Sequence, residues 1–198
     1  MQTMYSPLPL YPLAHGASYF TPRQELPARI NLEDPAVLAM TDLRQVAAVT
    51  IEPNAPLDKA LRKMIESGVK LLLVTDPQHA VLGLITAADI QGERPLTFLK
   101  EVGVRYDDIL VRDIMTLREQ LEVLRYEDVL QARVGAIVAT LKAAGRQHAL
   151  VTDTDVQEMR KAVRGIFSAT QLGRQLGMPI YTMEAIASFA ALREVLAS

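Results

Sequence analysis

Apolar residues recur along this chain in two alternating periods. After Pro56, a residue suited to the first helical position, Leu57, Ala60, Leu61, Met64 and Ile65 share one helical face, and Gly68 is placed to close the helix. Ahead of it, Val46 to Ile51 reads as a short strand ended by Pro53; behind it, Val69 to Val74 reads as a buried strand interrupted by Lys70. Asp76-Pro77-Gln78-His79 then turns the chain into Val81 to Ile85, predicting a hairpin.

The same order returns downstream. Val134, Ile137, Val138 and Leu141 predict a second helix, Gly145 its end, and His148 to Asp153 the strand that follows. Gly68 and Gly145 lie 77 positions apart, as do Asp76 and Asp153, so the register holds through helix and strand. Gly83-Leu84-Ile85-Thr86-Ala87-Ala88-Asp89 then reappears as Gly165-Ile166-Phe167-Ser168-Ala169-Thr170-Gln171, at a spacing of 82. The five extra residues are expected in the second hairpin loop, around Thr154 to Arg160, because loops absorb insertions at small entropic cost. The chain is a tandem repeat.

Other segments frame the repeats. Residues 1–36 carry Pro7, Pro9, Pro12, Pro22, Pro27 and Pro35 among Tyr5, Tyr11, Tyr19 and Phe20, which predicts an extended arm packed on its own domain or a partner subunit, the alternative being a disordered tail. The first repeat is assigned to residues 37–92, a linker to 93–112, the second repeat to 113–175 and a C-terminal segment to 176–198. In that last segment Ile186, Phe189, Ala190 and Leu192 predict an amphipathic helix from about Thr182 to Leu196. Val111-Arg112-Asp113-Ile114-Met115-Thr116 echoes Leu38-Ala39-Met40-Thr41 ahead of the first repeat.

Composition narrows the function classes. With 21 Lys+Arg against 23 Asp+Glu, no global field favours nucleic acid or an acidic membrane. Zero cysteines exclude disulfides, thiolate zinc sites and a cysteine nucleophile. No apolar run approaches the roughly 18 residues that span a bilayer, and the N-terminus lacks the pattern of a secretory signal, so membrane insertion is not expected and a cytoplasmic protein is. His15, His79 and His148 lie far apart, and no nucleophile elbow or phosphate-binding Gly-Lys loop occurs; Asp107-Asp108 and Asp153-Asp155 sit in turn-like stretches, so an enzyme is the least favoured class.

A strand, a helix, a two-stranded hairpin and then Gly-apolar-apolar-Thr-x-x-Asp, duplicated, with Val-x-Asp-Ile-Met-Thr before the second copy, resembles the CBS domain pair over about residues 38–175. The resemblance implies an α+β fold in which two tandem CBS repeats of β-α-β-β-α type pack about a pseudo-twofold axis with two clefts between them. It further implies that the clefts bind AMP, ADP, ATP or S-adenosylmethionine as a regulatory ligand, with no obligatory cofactor, that the chain forms a homodimer, and that it regulates an effector protein in trans.

Two candidate clefts follow. In the first, Thr86 is placed to give a hydroxyl to a phosphate and Asp89 to accept hydrogen bonds from both ribose hydroxyls, the roles these motif positions have in the family. Thr-x-x-Asp is also a capping box, and the two roles are compatible. Family positions bring Arg146, Gln147 and His148 from the other repeat to this cleft, with Tyr126 a looser candidate: Arg146 or His148 to neutralise phosphate, Gln147 to read a base edge, or all three as surface residues at a strand start. The second cleft would combine Ser168 with Ala48, Val49, Val69, Lys70 and Leu71, Lys70 pointing at a phosphate or extending to solvent. There Gln171 stands where the family has an acid, and losing a charge-assisted hydrogen bond of roughly 1.5–3 kcal/mol predicts weaker ribose binding or an empty cleft. A nucleotide-sensing module is the leading reading; a homodimeric assembly module with degenerate clefts is the alternative.

Overall fold

The computed structural model describes residues 22–156 and 159–183, together with residues 12, 15 and 17. The arm's Tyr5, Tyr11, Tyr19 and Phe20, and the predicted C-terminal helix beyond Met183, lie outside the described residues.

The first repeat folds in the expected order. Strand β2 (Thr50–Ile51) pairs in parallel with β3 (Leu71–Thr75) through helix α1 (Leu57–Ser67), and β3 makes an antiparallel hairpin with β4 (Val81–Thr86), which runs into helix α2 (Ala87–Gln91). Only the last two residues of the predicted strand over Val46 to Ile51 join the ladder. Helix α1 buries Leu57, Ala60 and Met64 but leaves Ile65 72% exposed, so its apolar stripe is wider than the face it docks. Gly68 closes α1 at φ 65°, a left-handed conformation that glycine adopts without steric cost.

The second repeat matches it. Strand β6 (Val123–Arg125) pairs in parallel with β7 (His148–Asp155) through helix α6 (Val134–Ala144), which Gly145 closes at φ 69°; β7 pairs antiparallel with β8 (Arg160–Ser168), which leads into helix α7 (Ala169–Leu176). The extra residues lengthen this hairpin rather than its loop, because Thr154 pairs with Lys161 and Asp155 with Arg160. Continuing the ladder satisfies backbone donors and acceptors that a longer loop would leave to water.

Each sheet is completed by a strand from the start of the other repeat. Strand β1 (Thr41–Asp42), at the start of the first repeat, pairs with β8 of the second, and β5 (Thr116–Leu117), at the start of the second, pairs with β4 of the first. Among the described residues this gives two four-stranded sheets of matching order, β2-β3-β4-β5 and β6-β7-β8-β1. The echoing Met-Thr segments are thus crossed over between the repeats. Helix α4 (Val111–Ile114), just before β5, buries Val111 and Ile114 in the first repeat's core, while Ala39 and Met40, just before β1, are buried in the second's. Leu71 and Leu73 of one sheet and Leu150 of the other form a third apolar cluster. The chain is therefore an α+β pair of interlocked repeats.

Residues 24–42 are stitched to the second repeat. The Ile30 N–H donates to Gln175 O at 3.1 Å, the Ala36 N–H to Ala132 O at 2.9 Å, and the Val134 and Gly135 N–H groups donate back to Asp34 O and Leu32 O at 2.9 and 2.8 Å. Ile30 is buried beside Val134, Ile137 and Leu172. Asp42 is buried and accepts from Arg164, whose guanidinium lies 4.7 Å from the centre of the Tyr126 ring. That ion pair helps hold β1 on β8, and the Asp42 N–H bond to Gln24 Oε1 at 2.7 Å ties β1 to the segment before it.

The segment between the repeats is largely structured, with helix α3 (Arg94–Val102) and a 3-10 turn at Tyr106–Asp108 preceding α4. Helix α5 (Tyr126–Gln131) follows β6.

Candidate functional site

A cavity of about 700 Å³ opens between the repeats. The first repeat lines it with Leu84, Thr86, Ala88, Asp89 and Gly92, the inter-repeat segment with Glu93 and Arg94, and the second repeat with Thr116, Gln120, Leu121, Glu122, Gly145, Arg146, His148 and Leu150. The two halves of the repeated motif are not equivalent in this respect. Of the residues singled out in the sequence, Thr86, Asp89, Arg146 and His148 meet in this one cavity, while Gln147 is not among its lining residues and its carbonyl accepts the Ala169 N–H at 2.8 Å. Tyr126 packs against Arg164 and the second core.

Thr86 and Asp89 form a reciprocal capping box. Asp89 Oδ2 accepts from the Thr86 N–H and from Thr86 Oγ1, each at 2.8 Å, and Thr86 Oγ1 accepts the Asp89 N–H at 3.2 Å. Asp89 Oδ1 pairs with Arg94 Nη1 at 2.9 Å. Arg94 Nη1 also donates to Ile114 O at 3.0 Å and to Thr116 Oγ1 at 3.3 Å, tying α2 to the start of β5. Arg94 was not among the residues the repeat pattern singled out, because it lies past the end of the motif and has no counterpart in it. Arg146 pairs with Glu122 at 3.4 Å across the cavity wall, the Glu122 side chain being 84% exposed.

His148 enters the cavity from β7. Its Nδ1 is buried with no hydrogen-bond partner, and burial, with the nearby charge of Lys70 in second place, lowers its pKa to about 4. The ring is neutral at physiological pH. A base whose pKa falls on folding binds protons more readily in the unfolded chain, so His148 should cost stability as the pH drops from about 6.5 towards 4, by up to about 3 kcal/mol. Denaturant titrations of wild type and His148→Gln should differ little at pH 7 and favour the variant at pH 5; parallel behaviour at both pH values would count against this.

The second motif is arranged differently. Ser168 accepts the Gln171 N–H at 3.5 Å, and the Gln171 amide, instead of returning to the backbone of Ser168, donates to Ala39 O at 3.2 Å. Neither this cavity nor the smaller one of about 130 Å³ around Arg44, Asp153 and Arg164 includes Ser168, Val49, Lys70 or Leu71. Leu71 is buried in the inter-sheet cluster, the Val49 carbonyl accepts the Leu73 N–H at 3.1 Å, and Lys70 is exposed with its charge felt at His148.

Among the described residues, no group of three or more His, Cys, Asp or Glu side chains is placed to hold a metal ion, and no helix is long and apolar enough to cross a membrane.

Comparison with known proteins agrees with this architecture. The family described as CBS domain matches residues 39–94. An uncharacterized conserved protein from Pyrococcus horikoshii is similar in structure with a TM-score of 0.51 at 23% identity, over 72% of this chain and 92% of that one. CBSX2 in complex with AMP is similar with a TM-score of 0.50 at 18% identity, over 71% and 93%. A CBS-domain containing protein from Agrobacterium tumefaciens is similar with a TM-score of 0.50 at 18% identity, over 69% and 93%. A search of curated proteins by sequence found no match. Residues 39–94 thus match the CBS-domain family, and over 71–72% of its length the chain shares the fold of these structures.

Proposed function

We propose that the chain is a non-catalytic regulatory module that binds an adenosine-containing ligand, of the AMP, ADP, ATP or S-adenosylmethionine class, in the cavity between its repeats. The observation that carries this reading is the convergence of Thr86 and Asp89 from one repeat with Arg146 and His148 from the other around about 700 Å³. That volume lies in the range of small-molecule and cofactor sites. Asp89 Oδ1 keeps a lone pair for a ribose hydroxyl beside its bond to Arg94. Arg146 is tied only weakly, since a pair to so exposed a carboxylate as Glu122 is worth about 0–1 kcal/mol, so a phosphate can take its guanidinium at little cost. The AMP bound by CBSX2, a protein of the same fold, supports the ligand class.

Calorimetry with AMP, ADP, ATP and S-adenosylmethionine should show saturable binding of at least one of them, with one site per chain. Asp89→Ala should weaken that binding about tenfold or more, the loss of a charge-assisted hydrogen bond. Absence of binding at millimolar ligand, or binding untouched by Asp89→Ala, would sink the reading.

The site count follows from the second motif, where the Gln171 amide is already spent on Ala39. A homodimer and an effector regulated in trans belong to the same proposal. Mass in solution with and without ligand tests the first, and ligand-dependent co-purification tests the second. Assembly with degenerate clefts is the reading that remains if every nucleotide fails to bind.

A further inference from the structure

We propose that Arg94 is the residue that makes this cavity prefer a phosphorylated nucleoside to a neutral one. The inference rests on the nucleotide-binding reading above and concerns a residue from the inter-repeat segment rather than from the repeated motif.

The argument comes from comparing the two motifs in one chain. In the second, the side chain at the last motif position, Gln171, donates directly to the carbonyl of Ala39, one residue before Met40-Thr41. In the first, the matching carbonyl is that of Ile114, one residue before Met115-Thr116, and the matching side chain is Asp89, an acceptor that cannot donate to it when ionised. Arg94 fills the gap. Its Nη1 bridges Asp89 Oδ1 at 2.9 Å to Ile114 O at 3.0 Å.

A neutral amide therefore suffices for the structural task, as the second repeat demonstrates, and the first repeat performs it with a full ion pair on the wall of the cavity. Two consequences distinguish that pair from a mere tie. First, all three contacts of Arg94 use Nη1, and among the described residues Nε and Nη2 have no partner, so the guanidinium keeps donors for an anion. Its side chain is 52% exposed where it lines the cavity. Second, Asp89 Oδ2 is already filled by the two Thr86 donors, so a ribose that engages the carboxylate with both hydroxyls must compete with Arg94 for Oδ1. A nucleoside without phosphate offers the displaced guanidinium nothing in return. A phosphate offers it a charge-assisted, bidentate partner.

The test is calorimetry of AMP and adenosine with wild type, Arg94→Gln, Arg94→Lys and the double variant Asp89→Gln, Arg94→Gln. Arg94→Gln should weaken AMP about tenfold or more while leaving adenosine unchanged or tighter, so the ratio of the two affinities falls by at least that factor. Arg94→Lys should restore part of the ratio, because the charge stays but the planar fork is lost. The double variant rebuilds the second repeat's arrangement and should melt close to wild type while binding neither ligand well.

Equal weakening of AMP and adenosine by Arg94→Gln would show a structural role only and overturn the proposal, as would AMP affinity unchanged in that variant. Failure of the underlying reading looks different. Wild type would then bind neither AMP nor adenosine.

Discussion

Gly83→Ala should destabilise the protein by about 3 kcal/mol, near the upper end of overpacking costs, and urea denaturation will measure it. A Cβ on Gly83 would collide with the carbonyl oxygen of Thr116 and lie 3.2 Å from its carbon and 3.3 Å from Leu117 Cα. These are backbone atoms of β5, so no side-chain rotation relieves the clash; the edge strand has to move off β4. Gly165→Ala meets a mixed obstacle in the other sheet, with Met40 Sδ at 2.5 Å and Cγ at 2.7 Å from the side chain and Thr41 O at 2.8 Å from the backbone, so a backbone clash remains even when Met40 turns away. The glycine that begins each copy of the motif is there because the crossed-over strand passes against it. Gly103→Ala is the control: it is left-handed at φ 72° with nothing within 4 Å of a new Cβ, and should cost only about 1 kcal/mol. Equal costs at Gly83 and Gly103 would refute the packing argument. Because Thr116 lines the cavity, Gly83→Ala should also weaken any ligand bound there.

Deleting residues 1–36 should abolish cooperative folding of the second repeat. The deletion removes Ile30 and Ala36 from that repeat's core and strips the start of α6 of the bonds from Val134 and Gly135 to Asp34 and Leu32. It also takes away Gln24, which holds both Met40 O and the Asp42 N–H, at 2.9 and 2.7 Å. Losing one large buried side chain costs about 2–5 kcal/mol, and the lost backbone partners add to it, which approaches the whole stability of a typical domain. Circular dichroism and amide NMR spectra should show a chain with its second-repeat signals collapsed. A truncated chain that melts with the full-length midpoint would contradict this. The stretch 22–36 is thus part of the fold of its own chain rather than an arm waiting for a partner.

How much of this was legible in the sequence varies element by element. Helices α1 and α6 were, because their apolar spacing and closing glycines are local and repeat in register. The hairpins were too, although not where the insertion in the second goes; composition does not say whether extra residues pair or bulge. Ile65 shared the apolar periodicity of α1 yet faces solvent, since periodicity reports which residues are aligned and not how wide the docking surface is.

Of the cavity, Thr86, Asp89, Arg146 and His148 could be named beforehand because motif position carries over between repeats of one family. Arg94, Gln120 and Glu122 could not, lying outside the repeated pattern. The one signal available for Arg94 was an arginine five residues beyond an acid that caps a helix, too common a spacing to single out.

The sequence by itself determined that there are two copies of one unit, where their helices end, and that the copies differ at the residue paired with Thr86 and Ser168. Only the tertiary structure decided that the units exchange edge strands, that one motif opens on a cavity while the other is tied to Ala39, and that a residue between the repeats completes the first. The physical reason is range. Helix faces, caps and turns are set by neighbours a few residues apart, whereas a two-residue edge strand has no periodicity of its own and takes its partner, 123 to 125 positions away for Thr41 and Asp42 and 32 to 34 for Thr116 and Leu117, from backbone hydrogen bonds that any sequence can offer.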